Sequence, residues 1–201
     1  MQINSVTFHP LPLEPYYKKD TQTRNFQCVK ELEGIHIGVV HGSLIGAVYV
    51  PDEDLDYPID PSCIEESGID YLALGHWHSH RQFKDESGIT RIAYSGTHEQ
   101  TKYAEDLAGH CLLVKIEGKG ETPIIEPVKC GKLTWKSIDF ELRDVASISE
   151  LSVQLDSVKD IDMLELNLTG EIPIKDGVEL DNLLKYHKTQ HNHFHTKCFN
   201  A

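Results

Sequence analysis

The chain has 201 residues, with 19 Lys and Arg against 32 Asp and Glu, so its formal net charge is −13. This acidity disfavours a protein that coats nucleic acid through bulk electrostatic attraction, and a hydrophobic fraction of 39% disfavours a wholly disordered chain. No apolar run approaches the roughly 20 residues of a membrane-spanning helix, and the N-terminus lacks a signal-peptide layout. Five scattered cysteines without a Cys-x-x-Cys pair indicate reduced thiols. We therefore expect a cytoplasmic protein that has no membrane partner.

The first half of the chain alternates short apolar strands with polar connections. A strand over 3–8 is expected to end at His9-Pro10, because proline removes a backbone hydrogen-bond donor. Asp60-Pro61 is typical of a helix start with Asp at the N-cap, and Gly68 is expected to end that helix. Compact apolar runs predict three more strands, and polar segments predict connections between them. The strands are 35–40, 69–74 and 91–94, and the connections are 14–25, 51–60 and 79–90.

The second half is predicted to begin with three antiparallel strands joined by glycine turns, at 111–116, 123–128 and 134–142. An amphipathic helix is expected over 147–158, where Ser147 and Glu150 have capping-box spacing. A strand at 161–168 and a helix at 178–186 follow, and we place a domain boundary between residues 134 and 135. A group of C-terminal histidines is expected to form a solvated tail rather than a metal site: His191, His193 and His195.

Three histidines directly follow apolar strands. His41 precedes Gly42, and His76 and His78 follow Gly75. Strand ends meet at one edge of a sheet, and an i, i+2 spacing in extended chain puts both imidazoles on one side. Imidazole suits transition metals better than calcium. The residues alone leave a metal site at these three positions and ordinary surface histidines as equal alternatives. We expect the ordinary role for a second group: His36, His80, His98 and His110.

Three motifs together resemble the second half of the calcineurin-like metallophosphoesterases, and in particular the SbcD-type DNA repair exonucleases. They are Val39-Val40-His41-Gly42-Ser43, Asp70-Tyr71-Leu72-Ala73-Leu74-Gly75-His76-Trp77-His78 and Tyr94-Ser95-Gly96-Thr97. The strand that begins at Gly109 resembles the continuation of that domain. The strand at Trp135 and the strand ending at Leu168-Thr169-Gly170 resemble the start of the small cap domain. The resemblance covers about residues 35–170.

The resemblance implies an α+β fold, namely the C-terminal half of a four-layer α/β/β/α metallophosphoesterase sandwich over 1–134, followed by a partial α/β cap over 135–201. In the family, the histidines at positions matching His41 and His76 bind one metal ion, and the histidine matching His78 binds its neighbour. Two divalent ions, with manganese favoured and iron or zinc as alternatives, hydrolyse phosphodiester bonds there. DNA and an SMC-like ATPase are the partners that the family implies.

The sequence departs from the family at its earlier motifs. It contains no Asp-x-His and no Gly-Asp, and its single Asn-His, Asn192-His193, is followed by Phe194 and lies after the cap. The bridging carboxylate and the catalytic histidine are therefore missing, and no catalytic residue is assigned. We expect a truncated or split phosphodiesterase whose other half comes from another polypeptide, or alternatively an inactive half-domain that binds a metal or a partner. Exposed strand edges would favour self-association, and another phosphoesterase branch remains an alternative.

The acidity is concentrated in two segments. Residues 52–70 hold eight acids and no base, and residues 139–181 hold twelve acids and three bases, so the rest of the chain is slightly basic. The charge therefore leaves room for a phosphate substrate beside the predicted histidines. Arg81 and Lys102 are the candidate phosphate-binding residues, although isolated basic residues are usually ordinary surface.

Overall fold

Helices and strands occur in both halves of the chain, which is an α+β protein. The computed structural model describes residues 2–3, 5–12, 26, 29–47, 56–105 and 107–198. The predicted connection at 14–25 lies outside these residues, as does the first half of the one at 51–60. None of the helices in the described ranges has the length and apolar character needed to cross a bilayer.

The elements follow one another in this order. The first part contains β1 Gln2–Ile3, β2 Val6–Leu11, β3 Ile35–His41, β4 Ser43–Leu44, β5 Pro58–Ile59, α1 Cys63–Ser67, β6 Tyr71–Gly75, β7 Arg81–Lys84, β8 Thr90–Tyr94, β9 His110–Lys115 and β10 Ile124–Lys129. The second part contains β11 Trp135–Leu142, α2 Ala146–Asp156, β12 Met163–Gly170, α3 Gly177–Lys188 and β13 His193–Cys198. Contacts divide the chain into two units, one within residues 1–99 and 106–131, the other within residues 100–105 and 132–201.

The first unit is built on a six-stranded sheet in the order β1-β2-β3-β6-β8-β7. Strands β2, β3, β6 and β8 are parallel, and β1 and β7 are antiparallel at the two edges. Leu72, Ile92 and Tyr94 are fully buried in the core that this sheet shares with α1. Parallel strands point their carboxyl ends the same way, so the loops after β3, β6 and β8 lie at one edge of the sheet.

Two predictions about the edges of this sheet were wrong. Strand β2 does not end before Pro10 but continues to Leu11. Among the described residues, β1 pairs with Val6 and Thr7 and does not reach Pro10, so the missing N–H of Pro10 costs no ladder bond to that strand. The segment predicted as a polar connection contains β7, which pairs antiparallel with β8 despite its alternating charged residues.

Helix α1 is shorter than its predicted start suggests. The Asp60 carboxylate accepts a bond from the Ser62 amide, and the helix begins at Cys63 with Ser62 at the N-cap. The prediction that Asp60 itself is the N-cap was therefore wrong. Gly68 does end the helix, with a φ of 80° that suits glycine, and its amide bonds back to Ile64.

The buried carboxylate of Asp70 joins three segments of the first unit. One oxygen accepts the backbone N–H of His36 at 2.7 Å, and the other accepts the backbone N–H of Gly120 at 2.6 Å. Arg91 is buried beside it, donates to the Asp70 carbonyl and forms an ion pair with Asp85 at 3.3 Å. These bonds hold β3, β6 and the turn before β10 together.

Replacing Asp70 with alanine is expected to destabilise the first unit by about 2–5 kcal/mol, because two backbone N–H groups lose their acceptor. Urea unfolding measures the change. Asp60→Ala is the matched control, since that carboxylate is less buried and accepts the backbone N–H of Ser62 in a local turn. Equal losses from the two variants would contradict the assigned role of Asp70.

Strands β9 and β10 form a separate two-stranded antiparallel sheet within the first unit. The prediction that the strand after them continues this antiparallel run was wrong. Strand β11 instead pairs parallel with β12, eight residues in register from Trp135↔Met163 to Leu142↔Gly170. The alternating pattern of β11 is compatible with pairing to β10 or to β12, so the local sequence does not determine which strand it pairs with.

The second unit contains a three-stranded parallel sheet in the order β11-β12-β13, with α2 and α3 as the crossover helices. Its core is formed by aliphatic side chains from both helices and from β12, including Leu151, Leu155, Leu164 and Leu166.

Helix α2 uses a different cap from the predicted one. The Asp144 carboxylate accepts the backbone N–H and the hydroxyl of Ser147, and these bonds hold the Asp144 pKa low. The Ser147 hydroxyl also accepts the Asp144 backbone N–H.

The prediction of a solvated histidine tail was wrong, because residues 193–198 form β13 beside β12. Asp162 holds this segment in place through hydrogen bonds. Its carboxylate accepts bonds from the Thr134 backbone and hydroxyl and from the Asn192 amide, and its carbonyl accepts the His193 N–H. These bonds lower the pKa of Asp162 and align the first residues of all three strands.

Candidate functional site

Two of the three predicted histidines come together at the carboxyl edge of the first sheet. His41 is the last residue of β3 and lies opposite Gly75, the last residue of β6. The His41 and His76 rings are 5.3 Å apart between centroids and nearly perpendicular, at 79°. Both residues are exposed. Gly75 makes this approach feasible, since a Cβ there would lie 3.0 Å from Nδ1 of His41.

The backbone conformation at both histidines is tightly constrained by neighbouring residues. His76 has a φ of +123°, a conformation that residues with a side chain rarely adopt. Strain of this kind costs about 1–3 kcal/mol and persists where the surrounding structure holds it. Gly42, directly after His41, donates its N–H to the Gly75 carbonyl at 3.1 Å and leaves no space for a Cβ, which would lie 2.1 Å from the Tyr57 carbonyl oxygen. The two loops are thus tied to each other where the histidines project.

Tyr94, at the end of β8, fixes the loop that follows His41. Its ring is fully buried, and its hydroxyl donates to the Gly42 carbonyl at 2.7 Å and accepts the Leu44 N–H at 2.8 Å. Burial raises the pKa of this hydroxyl, so it stays protonated and can serve as donor and acceptor at once. The motif Tyr94-Ser95-Gly96-Thr97 therefore has a structural role at this edge through its first residue.

The second loop is anchored by Trp77. Its indole packs on the core and lies 6.0 Å from the Tyr94 ring, whereas His76 and His78 on either side are exposed. The His78 carbonyl accepts the Thr97 N–H at 2.8 Å, and Gly96 approaches it so closely that a Cβ would lie 2.4 Å from that oxygen. The loops after β3, β6 and β8 therefore meet at one edge.

The described residues do not complete a two-metal centre. Within the described ranges, no three or more His, Cys, Asp or Glu side chains are grouped so that they could hold a metal ion. His41 and His76 provide two imidazoles, and a transition-metal site needs further ligands, commonly carboxylates, to fill its coordination sphere and balance its charge. Two-metal hydrolysis therefore requires ligands beyond this histidine pair.

The two candidate phosphate-binding residues lie in different units. Arg81 is the first residue of β7, half-buried, and pairs in register with Tyr94. Lys102 belongs to the second unit, where its side chain is 73% exposed and lies 3.8 Å from the buried Glu105 carboxylate.

Sequence reasoning missed a second histidine pair in the first unit. Nε2 of His9 lies 2.9 Å from Nδ1 of the buried His36. Nε2 of His36 faces the Glu33 carbonyl at 3.2 Å and must carry the proton there, so Nδ1 of neutral His36 accepts from His9. Burial and the charge on His36 lower the pKa of His9. A partner 27 residues away gives no signal in the local pattern.

No family model matches the chain, and no curated protein is significantly similar to it.

Proposed function

We propose that the first unit is the C-terminal half of a metallophosphoesterase domain and contributes ligands to a metal-dependent phosphodiesterase site. The observation that carries this proposal is the pair of His41 and His76 at the carboxyl ends of adjacent parallel strands, with rings 5.3 Å apart. Packing alone does not explain an exposed histidine held at a φ of +123° next to another exposed histidine. Strain at a solvent-exposed pair is typical of a binding site.

The remaining ligands are proposed to come from another polypeptide that carries the Asp-x-His, Gly-Asp and Asn-His motifs, which this sequence lacks. The β9–β10 sheet supports this idea. Leu113, Ile124 and Val128 are 60%, 51% and 43% exposed on one face of these two strands. A two-stranded sheet whose exposed face carries apolar side chains is only marginally stable by itself. It gains stability when further strands or a second layer cover that face. We propose that the missing half covers this face and completes the four-layer sandwich.

Metal binding by the histidine pair is the first test. The full chain is expected to bind Mn²⁺ weakly, and His41→Ala or His76→Ala is expected to weaken that binding at least about tenfold, because each removes one of few ligands. Titration calorimetry or the electron paramagnetic resonance signal of free Mn²⁺ measures the affinity. His98→Ala, at another exposed histidine of the same unit, is the matched control. Equal affinity in all four proteins would overturn the proposed site.

Hydrolysis distinguishes a split enzyme from an inactive module. The chain alone is expected not to hydrolyse bis-p-nitrophenyl phosphate in Mn²⁺, since the carboxylate ligands are absent from its motifs. Adding a polypeptide with the three missing motifs is expected to restore turnover, and His76→Ala is expected to abolish that restored activity. No turnover with any such polypeptide, despite complex formation, would reject the split enzyme.

The second candidate function is a catalytically inactive module that binds a metal or a partner. It is favoured by one observation: the described residues contain no group of three metal ligands. This candidate predicts Mn²⁺ binding that depends on His41 and His76 without any restored hydrolysis.

The proposed partners follow from the same resemblance. DNA and an SMC-like ATPase are proposed for the assembled enzyme, with the second unit as a partial cap. The acidity of residues 139–181 predicts that the isolated chain binds duplex DNA poorly. Fluorescence anisotropy of a labelled duplex, with the chain alone and with the added half, tests this expectation.

A further inference from the structure

Two exposed cysteines lie together on the β9–β10 sheet of the first unit. Cys111 is the second residue of β9, and Cys130 directly follows the last residue of β10. Neither residue belongs to the histidine edge or to the core of the unit. The described chain also contains Cys63, which is buried in the core, and Cys198 on β13 of the other unit.

The register of the two strands brings the thiols to the same face. Cys111 pairs with Val128, and Cys130 lies two residues further along, which makes it the diagonal neighbour of Cys111. The Cys130 and Gly131 amides both donate to the Gly109 carbonyl, at 3.0 and 2.9 Å, so the pairing becomes irregular there. Cys130 thus lies just outside the regular ladder, at a bulge-like irregularity where residues 130 and 131 both bond to Gly109.

Cys111 acts on the thiol of Cys130. Partial desolvation, the negative charge of Cys111, a hydrogen bond with Cys111 and the charge of Glu99 together raise the pKa of Cys130. Each sulfur also contacts a carbonyl oxygen: Cys111 Sγ lies 3.8 Å from the Val128 oxygen and Cys130 Sγ lies 3.4 Å from the His98 oxygen. These contacts help to fix the orientation of each thiol.

We infer that Cys111 and Cys130 form a reversible dithiol–disulfide site, which is oxidised by small-molecule disulfides such as oxidised glutathione. The Cys111 thiolate attacks the external disulfide, forms a mixed disulfide and releases one thiolate. Cys130 then loses its proton to solvent and attacks the Cys111 sulfur, which releases the second small thiol. Two protein thiols and one external disulfide become one protein disulfide and two small thiols.

The order of the two attacks follows from their surroundings. The raised pKa of Cys130 lowers the fraction of its reactive thiolate, so this residue is assigned the role of the resolving thiol. Both cysteines are exposed in this chain by itself, so a small disulfide reaches them there without unfolding of the unit, before any second polypeptide covers the face of β9 and β10 that carries Cys111. The buried Cys63 has no such access.

Thiol titration and peptide mapping of the full chain test this inference. Oxidised glutathione is expected to link the peptides that contain residues 111 and 130 without leaving glutathione on either of them, and dithiothreitol is expected to restore both thiols. In Cys130→Ser, a stable mixed disulfide with glutathione is expected to accumulate on Cys111. In Cys111→Ser, the linked pair of peptides is expected to be absent.

Cys198→Ser is the control variant, because it removes an exposed cysteine from the other unit and is expected to leave the linkage intact. The inference fails if the unaltered chain ends with separate glutathione adducts on Cys111 and Cys130. It also fails if the linkage forms between chains, which non-reducing electrophoresis detects, or if Cys130→Ser accumulates no adduct.

Discussion

Replacing Tyr94 with phenylalanine is expected to lower the free energy of unfolding of the first unit by about 2–4 kcal/mol. The hydroxyl bonds to two backbone groups, the Gly42 carbonyl and the Leu44 amide, and phenylalanine leaves both without a partner in a buried place. The ring itself stays the same size, so no cavity adds to this cost. Urea unfolding in a Trp135→Phe background measures the change, because Trp77, 6.0 Å from the Tyr94 ring, is then the sole tryptophan.

The Tyr94→Phe variant also tests whether the hydrogen bonds of Tyr94 maintain the geometry of the histidine pair. Because Gly42 directly follows His41, loss of its anchor is expected to weaken Mn²⁺ binding by the folded chain several-fold. Tyr71→Phe is the matched control, since this buried tyrosine of β6 does not supply the Gly42 and Leu44 bonds. If Tyr94→Phe unfolds no more easily than Tyr71→Phe, the two hydrogen bonds do not hold the loop.

The strands that carry the histidine edge were predictable from local sequence. Strands β3, β6 and β8 are compact apolar runs because parallel strands are covered on both faces, and each ends at a glycine or polar residue. The glycine at the end of α1 was equally predictable, since a left-handed C-cap favours glycine. Such features are encoded within a few residues.

Elements that depend on distant partners were not predictable. Strand β7 is polar and becomes a strand only because the edge of β8 offers a ladder of hydrogen bonds. Strand β13 looks like a solvated tail until Asp162 and Asn192 fix its start beside β12. In both cases the decisive interaction joins residues that are separated in the chain, which propensity and periodicity do not record.

The candidate site likewise combines features that local sequence predicts with features that it does not. The motifs identified His41 and His76, whose proximity follows from adjacent parallel strands. The positive φ of His76 and the hydroxyl bonds of Tyr94 across about fifty residues required the folded chain. No motif distinguishes a tyrosine that fills a core from one that also anchors a ligand loop.

The second unit contains a buried histidine whose environment opposes its charge. His187 on α3 is 1% exposed, and neither ring nitrogen has a hydrogen-bond partner among the described residues. Its ring stacks 6.3 Å from that of His191, and Nε2 lies 4.0 Å from the exposed Asp156 carboxylate. Burial lowers the pKa of His187 from 6.5, the charge on His191 lowers it further, and Asp156 partly opposes both.

This arrangement predicts that acidification destabilises the second unit. The unfolded chain takes up a proton at His187 near pH 6.5, whereas the folded chain takes it up at lower pH. Stability is therefore expected to fall as the pH drops through 6.5 and to level off below the folded pKa of this group. Urea unfolding at several pH values in a Trp77→Phe background, reported by Trp135 of this unit, measures the slope.

Replacing His187 with phenylalanine is expected to stabilise the second unit by about 1–2 kcal/mol at neutral pH, because it removes two unsatisfied buried nitrogens and keeps an aromatic ring. The gain is expected to grow under acidic conditions, since the variant no longer carries the histidine that must stay uncharged. His191→Phe is the informative counterpart: its Nδ1 bonds to the Ile161 carbonyl at 2.6 Å, so this variant is expected to lose stability instead. A His187→Phe protein that unfolds more easily than the unaltered chain would contradict this account, as would one whose stability keeps the same dependence on pH below 6.5. Either result would show that interactions other than packing hold His187.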